Sequence, residues 1–259
     1  MRKKSSKLIT AIIVVLLAVL VLIVAIRAIS KPKSGTDTDS GSKTNATDTV
    51  PTPTPEPEKL TFQKAPDGYF DDALFIGDSR TVGISYFKDE CCLANADFFC
   101  TVGMSTYNAF TESVSIDGVG TVGLNTLLAS KHYSKVYIML GINEIGSTLD
   151  SIIGRYTDLV SKVQTAYPDA IIYITGNIHV TYERSVNDST FSNSRISELN
   201  SMMAELADDE SIFYIDPNVL FDDEGGNLGT QYASDSAHLQ SQYYLELGQW
   251  YGDNAIVKK

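Results

Sequence analysis

Beyond about residue 60 the chain alternates short apolar runs with longer amphipathic ones. Residues 73–76, 97–101, 135–140, 170–175 and 211–215 are rich in Ile, Val, Tyr and Phe and predict five strands. Between and after them, residues 79–87, 119–129, 148–167, 191–207 and 240–253 predict helices. The third of these is the clearest: Leu149, Ile152, Ile153, Tyr156, Leu159, Val160 and Val163 repeat at helical spacing until Pro168 and Asp169 break the pattern. Strand–helix alternation of this kind predicts a parallel sheet with helices on both faces. In such sheets, sites gather at the carboxyl ends of the strands.

The first 59 residues read differently. Residues 8–26 are 19 apolar or small positions without a charge, preceded by Arg2, Lys3, Lys4 and Lys7. A run of that length can cross a hydrocarbon core of about 30 Å, and the flanking cations predict a cytoplasmic N-terminus. A cleaved secretory signal is the rival reading, but its apolar region is usually about 7–15 residues, and Ile26-Arg27-Ala28-Ile29-Ser30 is a poor cleavage site. The predicted organisation is therefore a cytoplasmic tail (1–7), a single membrane anchor (8–29), a Ser/Thr/Pro-rich linker (30–59) and a folded domain (60–259) outside the cell membrane. The linker ends in Pro51-Thr-Pro-Thr-Pro-Glu-Pro-Glu58, an extended spacer that cannot bury a core.

Charge follows the same division. Seven of the 20 Lys and Arg residues lie in the first 33 positions and the first acidic residue is Asp37, leaving 13 basic against 32 acidic side chains beyond. Such a surface repels nucleic acid and anionic polymers and suits a small, neutral or sugar-like substrate. Cys91, Cys92 and Cys100 match no zinc spacing. An exported location permits a disulfide between Cys100 and one of the adjacent pair. The alternative is three small apolar side chains lining a strand and its neighbour.

Four segments at predicted strand ends carry chemistry. Gly77-Asp78-Ser79 closes the first strand just before a helix, where backbone N–H groups and the helix N-terminus favour developing negative charge. Thr101-Val102-Gly103 follows the second strand and Gly141-Ile142-Asn143-Glu144 the third, while Asp235-Ser236-Ala237-His238 precedes the last helix. These blocks, in this order over about residues 75–239, resemble the SGNH, or GDSL-type, hydrolase family. The resemblance implies a three-layer α/β/α sandwich around a flavodoxin-like parallel sheet of about five strands. It implies that Ser79 is the nucleophile, His238 the general base and Asp235 the carboxylate that orients the imidazole. The oxyanion hole would be the Ser79 and Gly103 N–H groups with the Asn143 side-chain amide. Two positions depart from the family pattern: Arg80 stands where leucine is usual, and Glu144 where aspartate is usual.

The roles are chemically coherent. A serine hydroxyl is a poor nucleophile until a neutral imidazole takes its proton, and a carboxylate on the other ring nitrogen holds the required tautomer. Arg80 at the pocket rim and His179 after the fourth strand are possible substrate contacts, and Arg184 and Arg195 flank a polar loop that could form one wall. No cofactor or metal is expected, since the chain lacks a phosphate-cradling glycine loop and metal-ligand spacing. The expected activity is an extracytoplasmic serine esterase removing small acyl groups, above all acetyl, from carbohydrate or cell-wall glycan. The alternatives are a glycan O-acetyltransferase fed by a membrane partner, a lysophospholipase- or thioesterase-like lipid esterase, and a non-catalytic binding module.

Overall fold

The computed structural model describes residues 60–258; the expected anchor and linker lie outside them. Among the described residues no helix is long and apolar enough to cross a membrane. In chain order the elements are β1 (Phe62–Gln63), β2 (Ala73–Gly77), α1 (Ser79–Ser85), β3 (Asp97–Cys100), β4 (Ser113–Ile116), β5 (Gly120–Gly123), α2 (Leu124–Ser130), β6 (Lys135–Met139), α3 (Leu149–Ala166), β7 (Ile171–Thr175), α4 (Tyr182–Asn187), α5 (Asn193–Ala204), β8 (Ile212–Ile215), α6 (Asn218–Phe221), α7 (Ser241–Asp253) and β9 (Ala255–Ile256).

All five predicted strands form, and they make one parallel sheet in the order β3-β2-β6-β7-β8. This is the flavodoxin-like order, whose switch point lies between β2 and β6. Both faces are covered, so successive residues on each strand alternate between two cores. Leu74, Ile76, Val136, Ile138, Ile172 and Ile174 meet α2, α3 and α5. On the other face, Phe75, Tyr137, Tyr173 and Phe213 pack with α1 and α7. There the in-register rings of Phe75, Tyr137 and Tyr173 stack flat, with centroids 4.5 and 4.2 Å apart.

The expected helix over residues 119–129 is corrected. Its first part is strand β5, paired antiparallel with β4, and the helix begins only at Leu124. Val114 opposes Val122 across the ladder, and Gly118 and Gly120 adopt the positive φ that the tight connection requires. A second small sheet pairs β1 with β9, clasping the two ends of the domain. Of the two readings of the cysteines, the structure has the unbridged one, with Cys91, Cys92 and Cys100 as free thiols.

Candidate active site

The switch-point crevice is built from the two strands that flank it. β2 delivers Gly77-Asp78-Ser79, and β6 delivers Gly141-Ile142-Asn143 to the same edge. Gly77 is required by packing: a Cβ there would sit 1.9 Å from Thr81 Oγ1 and 3.0 Å from the Met139 carbonyl. Asp78 caps α1 by accepting the Arg80 N–H at 2.9 Å, which starts the helix directly beneath Ser79. Asp78 is wholly buried, and the desolvation pushes its carboxyl pKa up, partly offset by the Arg80 guanidinium.

Ser79 Oγ lies 2.9 Å from His238 Nε2, and His238 Nδ1 lies 2.9 Å from Asp235 Oδ2. The other Asp235 oxygen accepts the Ala237 and His238 N–H groups at 2.7 and 2.8 Å, folding residues 235–238 into a turn around one carboxylate. Burial pushes the Asp235 pKa up, but these N–H donors and the imidazole outweigh it and hold the carboxyl below its ordinary range. The loop is open to solvent, with the His238 and Asp235 side chains 39% and 57% exposed.

Gly103 occupies the third position of a turn closed by the Met104 N–H on the Thr101 carbonyl, with φ +81°. That is the type II geometry in which glycine is favoured. Neither the Ser79 nor the Gly103 N–H has a partner among the described residues. Asn143 Nδ2 is already engaged, donating to the Met104 carbonyl at 2.8 Å and more loosely to Asp78 Oδ2 at 3.4 Å. The amide is thus held toward the crevice by one firm bond, leaving the weaker one exchangeable. Glu144 turns inward, where one carboxylate oxygen accepts the Thr106 N–H and hydroxyl, both at 2.6 Å. Desolvation raises its pKa despite those donors. Arg195 pins this same segment by donating to the Ile145 carbonyl at 2.6 Å.

Ser79, Asn143 and His238 line a cavity of about 340 Å³ whose far wall is Phe191, with Arg184 stacked 4.7 Å over the Phe191 ring. A larger cavity of about 450 Å³, beside Tyr69 and Cys92, contains none of these groups. Arg80 also borders the site cavity, yet its side chain is only 2% exposed and runs beneath the 235–238 loop. His179 is not brought to Ser79. It lines a separate cavity of about 220 Å³, with Nδ1 on Asp222 at 2.8 Å and Nε2 on Ser197 Oγ at 2.9 Å. This second Ser–His–Asp contact joins the loop after β7, the end of α6 and α5, on which Ser197 Oγ also donates to the Asn193 carbonyl at 2.7 Å. Both His179 nitrogens are therefore spent on internal partners. Among the described residues no group of three or more potential ligand side chains could hold a metal.

A parallel sheet with a serine, an imidazole and unpartnered N–H groups at its switch point defines a serine ester hydrolase. The GDSL-like lipase/acylhydrolase family model matches residues 75–244, and the chain belongs to that family. Three solved structures share the fold. A Streptococcus pneumonia protein assigned as a platelet activating factor is 21% identical, with a TM-score of 0.53 over 68% of this chain and 79% of its own. A GDSL-like lipase from Bacteroides thetaiotaomicron is 14% identical, with a TM-score of 0.51 over 70% of this chain and 87% of its own. A Desulfitobacterium hafniense protein assigned to the lipolytic G-D-S-L family is 13% identical, with a TM-score of 0.53 over 70% and 97%. A comparison with curated proteins gives no match.

Proposed function

We propose that the protein hydrolyses small acyl esters, acetyl above all, of carbohydrate or cell-wall glycan, through Ser79, His238 and Asp235. The observation that carries this reading is the unbroken hydrogen-bond line from Ser79 Oγ through His238 to Asp235, with the Ser79 N–H free of any other partner among the described residues. His238 Nε2 takes the Ser79 proton as Oγ attacks the ester carbonyl, while Asp235 keeps the other nitrogen protonated and faces the imidazolium that forms. The carbonyl oxygen becomes an anion that the Ser79 and Gly103 N–H groups and the Asn143 amide receive. Collapse expels the alcohol, which takes the proton from His238. Water then repeats the sequence on the acyl-serine and releases the acid.

Solvent access to His238 supports water, rather than a second sugar, as the acyl acceptor. The modest cavity and the strongly acidic chain beyond residue 33 support a small uncharged ester over a long-chain lipid headgroup. The apolar run at residues 8–26 supports a location at the outer face of the cell membrane, which protease shaving of intact cells would test through loss of the folded domain. For the activity, Ser79→Ala should abolish hydrolysis of a chromogenic acetyl ester while the circular dichroism of the protein is unchanged. Wild-type protein that neither hydrolyses the ester nor is labelled at Ser79 by a fluorophosphonate would overturn the reading.

A further inference from the structure

The residue after Ser79 is one of the two positions that depart from the family pattern. Arg80 buries a guanidinium, and an ion in that position costs several kcal/mol unless its surroundings repay it. Part of the repayment is Asp78, buried on the same turn; desolvation pushes the Arg80 pKa down, and attraction to Asp78, then Tyr244 and Asp235, opposes it. Another part is directional, although Nη1 is buried without a partner. Nε and Nη2 both donate to the carbonyl oxygen of Ala237, at 3.3 and 3.1 Å.

That carbonyl belongs to the residue immediately before His238, just as Arg80 is immediately after Ser79. The exposed 235–238 loop shapes itself through Asp235, but those bonds are internal and do not fix where the loop stands on the domain. Besides Arg80, its backbone is tied by the Thr181 N–H on the Ser236 carbonyl, at 3.0 Å, and at its base by the Ser234 N–H on the His238 carbonyl, at 2.9 Å, where Ala233 pairs with Leu239; neither bond reaches Ala237 from the nucleophile's side. Arg80 therefore closes a ring: Ser79 Oγ to His238 Nε2 on the open side, and the guanidinium to Ala237 on the buried side. A leucine here would leave the Ala237 oxygen without either donor.

We propose that Arg80 is a positioning residue that sets the height of His238 over Ser79 by clamping the Ala237 carbonyl from the nucleophile's own helix. The proposal rests on the reading of Ser79 and His238 as nucleophile and base. Misplacing a catalytic group by about 1 Å can cost on the order of 100-fold in rate, and the loss falls on the chemical step and not on substrate binding. In the full-length protein, Arg80→Leu should therefore lower kcat for an acetyl ester by about 10- to 100-fold with KM within about twofold. Arg80→Lys retains the charge facing Asp78 but has a shorter, single-headed donor, and should give a smaller fall of the same kind. Guanidinium added at sub-denaturing concentration should restore part of the rate to Arg80→Ala and none to Ser79→Ala.

Wild-type kcat in Arg80→Leu would overturn the proposal. So would a loss in Arg80→Ala that matches the loss of folded protein and does not respond to guanidinium. Should Arg80→Leu fail to fold, Arg80→Lys decides: reduced kcat at unchanged KM supports the clamp, and wild-type kcat removes it. An inactive wild-type protein, unlabelled at Ser79, would instead sink the hydrolase reading on which the proposal stands.

Discussion

At the scale of single residues, the site separates groups that hold charge from groups that receive it. Asn143 donates without titrating, so Asn143→Ala should lower kcat about 100- to 1,000-fold with little change in KM, measured by steady-state ester hydrolysis. Asp235 does two things at once, and its conservative variant divides them. Asp235→Asn can still accept the Ala237 and His238 N–H groups but cannot hold the imidazole tautomer, and kcat should fall about 10,000-fold. Because the folded carboxyl titrates below its unfolded value near 4, the order it lends the loop is complete above about pH 4 and is lost as pH falls through the lower folded value. Hydrogen exchange at the Ala237 and His238 amides should show that acid step in the wild type and lack it in Asp235→Asn. Away from the site, Cys91 and Cys92 rest against Gly248 and Gly252 of α7. The adjacent Cys92 thiol holds the Cys91 pKa down to about 7, whereas burial pushes Cys100 up to about 12. Iodoacetamide should therefore reach Cys91 well before Cys100 at neutral pH, as read by peptide mass spectrometry, and equal rates would contradict this.

At the scale of elements, the strand-to-helix turn after β2 tolerates almost no bulk. Gly77→Ala would press a methyl into Thr81 and the Met139 carbonyl, and should cost about 1–3 kcal/mol in urea unfolding. Most of this architecture was legible in the chain. The five strands announce themselves because a sheet covered on both faces demands unbroken apolar runs, and α3 does so through seven apolar positions at helical spacing. The motif segments were legible as well, since Ser79, Gly103 and Asn143 follow strands whose ends were visible. Strand β5 falls inside the span whose pattern predicts helix, and β4 carries no prediction, although Asp117-Gly118 between Ser-Val-Ser-Ile and Thr-Val is a hairpin signal. The β1–β9 clasp was not legible, because two-residue strands lack a period and their pairing spans nearly the whole domain. Nor was the fate of Arg80 or His179. Which way a polar side chain turns depends on partners such as Ala237 or Asp222, more than 40 positions away, that local pattern does not reveal.

At the scale of the molecule, the clasp and the aromatic stack work as one unit. The Tyr69 hydroxyl lies 2.6 Å from that of Tyr173 and donates to the Ile256 carbonyl at 2.8 Å, while the Ile256 N–H donates to the Tyr173 oxygen at 2.6 Å. Removing residues 255–259 takes the Ile256 partner from each of two buried hydroxyls, which then bond only to one another, and uncovers Ile256's apolar seat, and should destabilise the domain by about 3 kcal/mol, seen as a lower Tm. The same layout orders events during synthesis. Ser79, Gly103 and Asn143 leave the ribosome early, but His238 lies 159 positions beyond Ser79, and α7 and β9 come later still. A growing chain therefore carries a serine with no base to activate it. On the proposed mechanism, the nascent protein stays chemically silent toward esters until residues 235–238 have emerged and settled over Ser79.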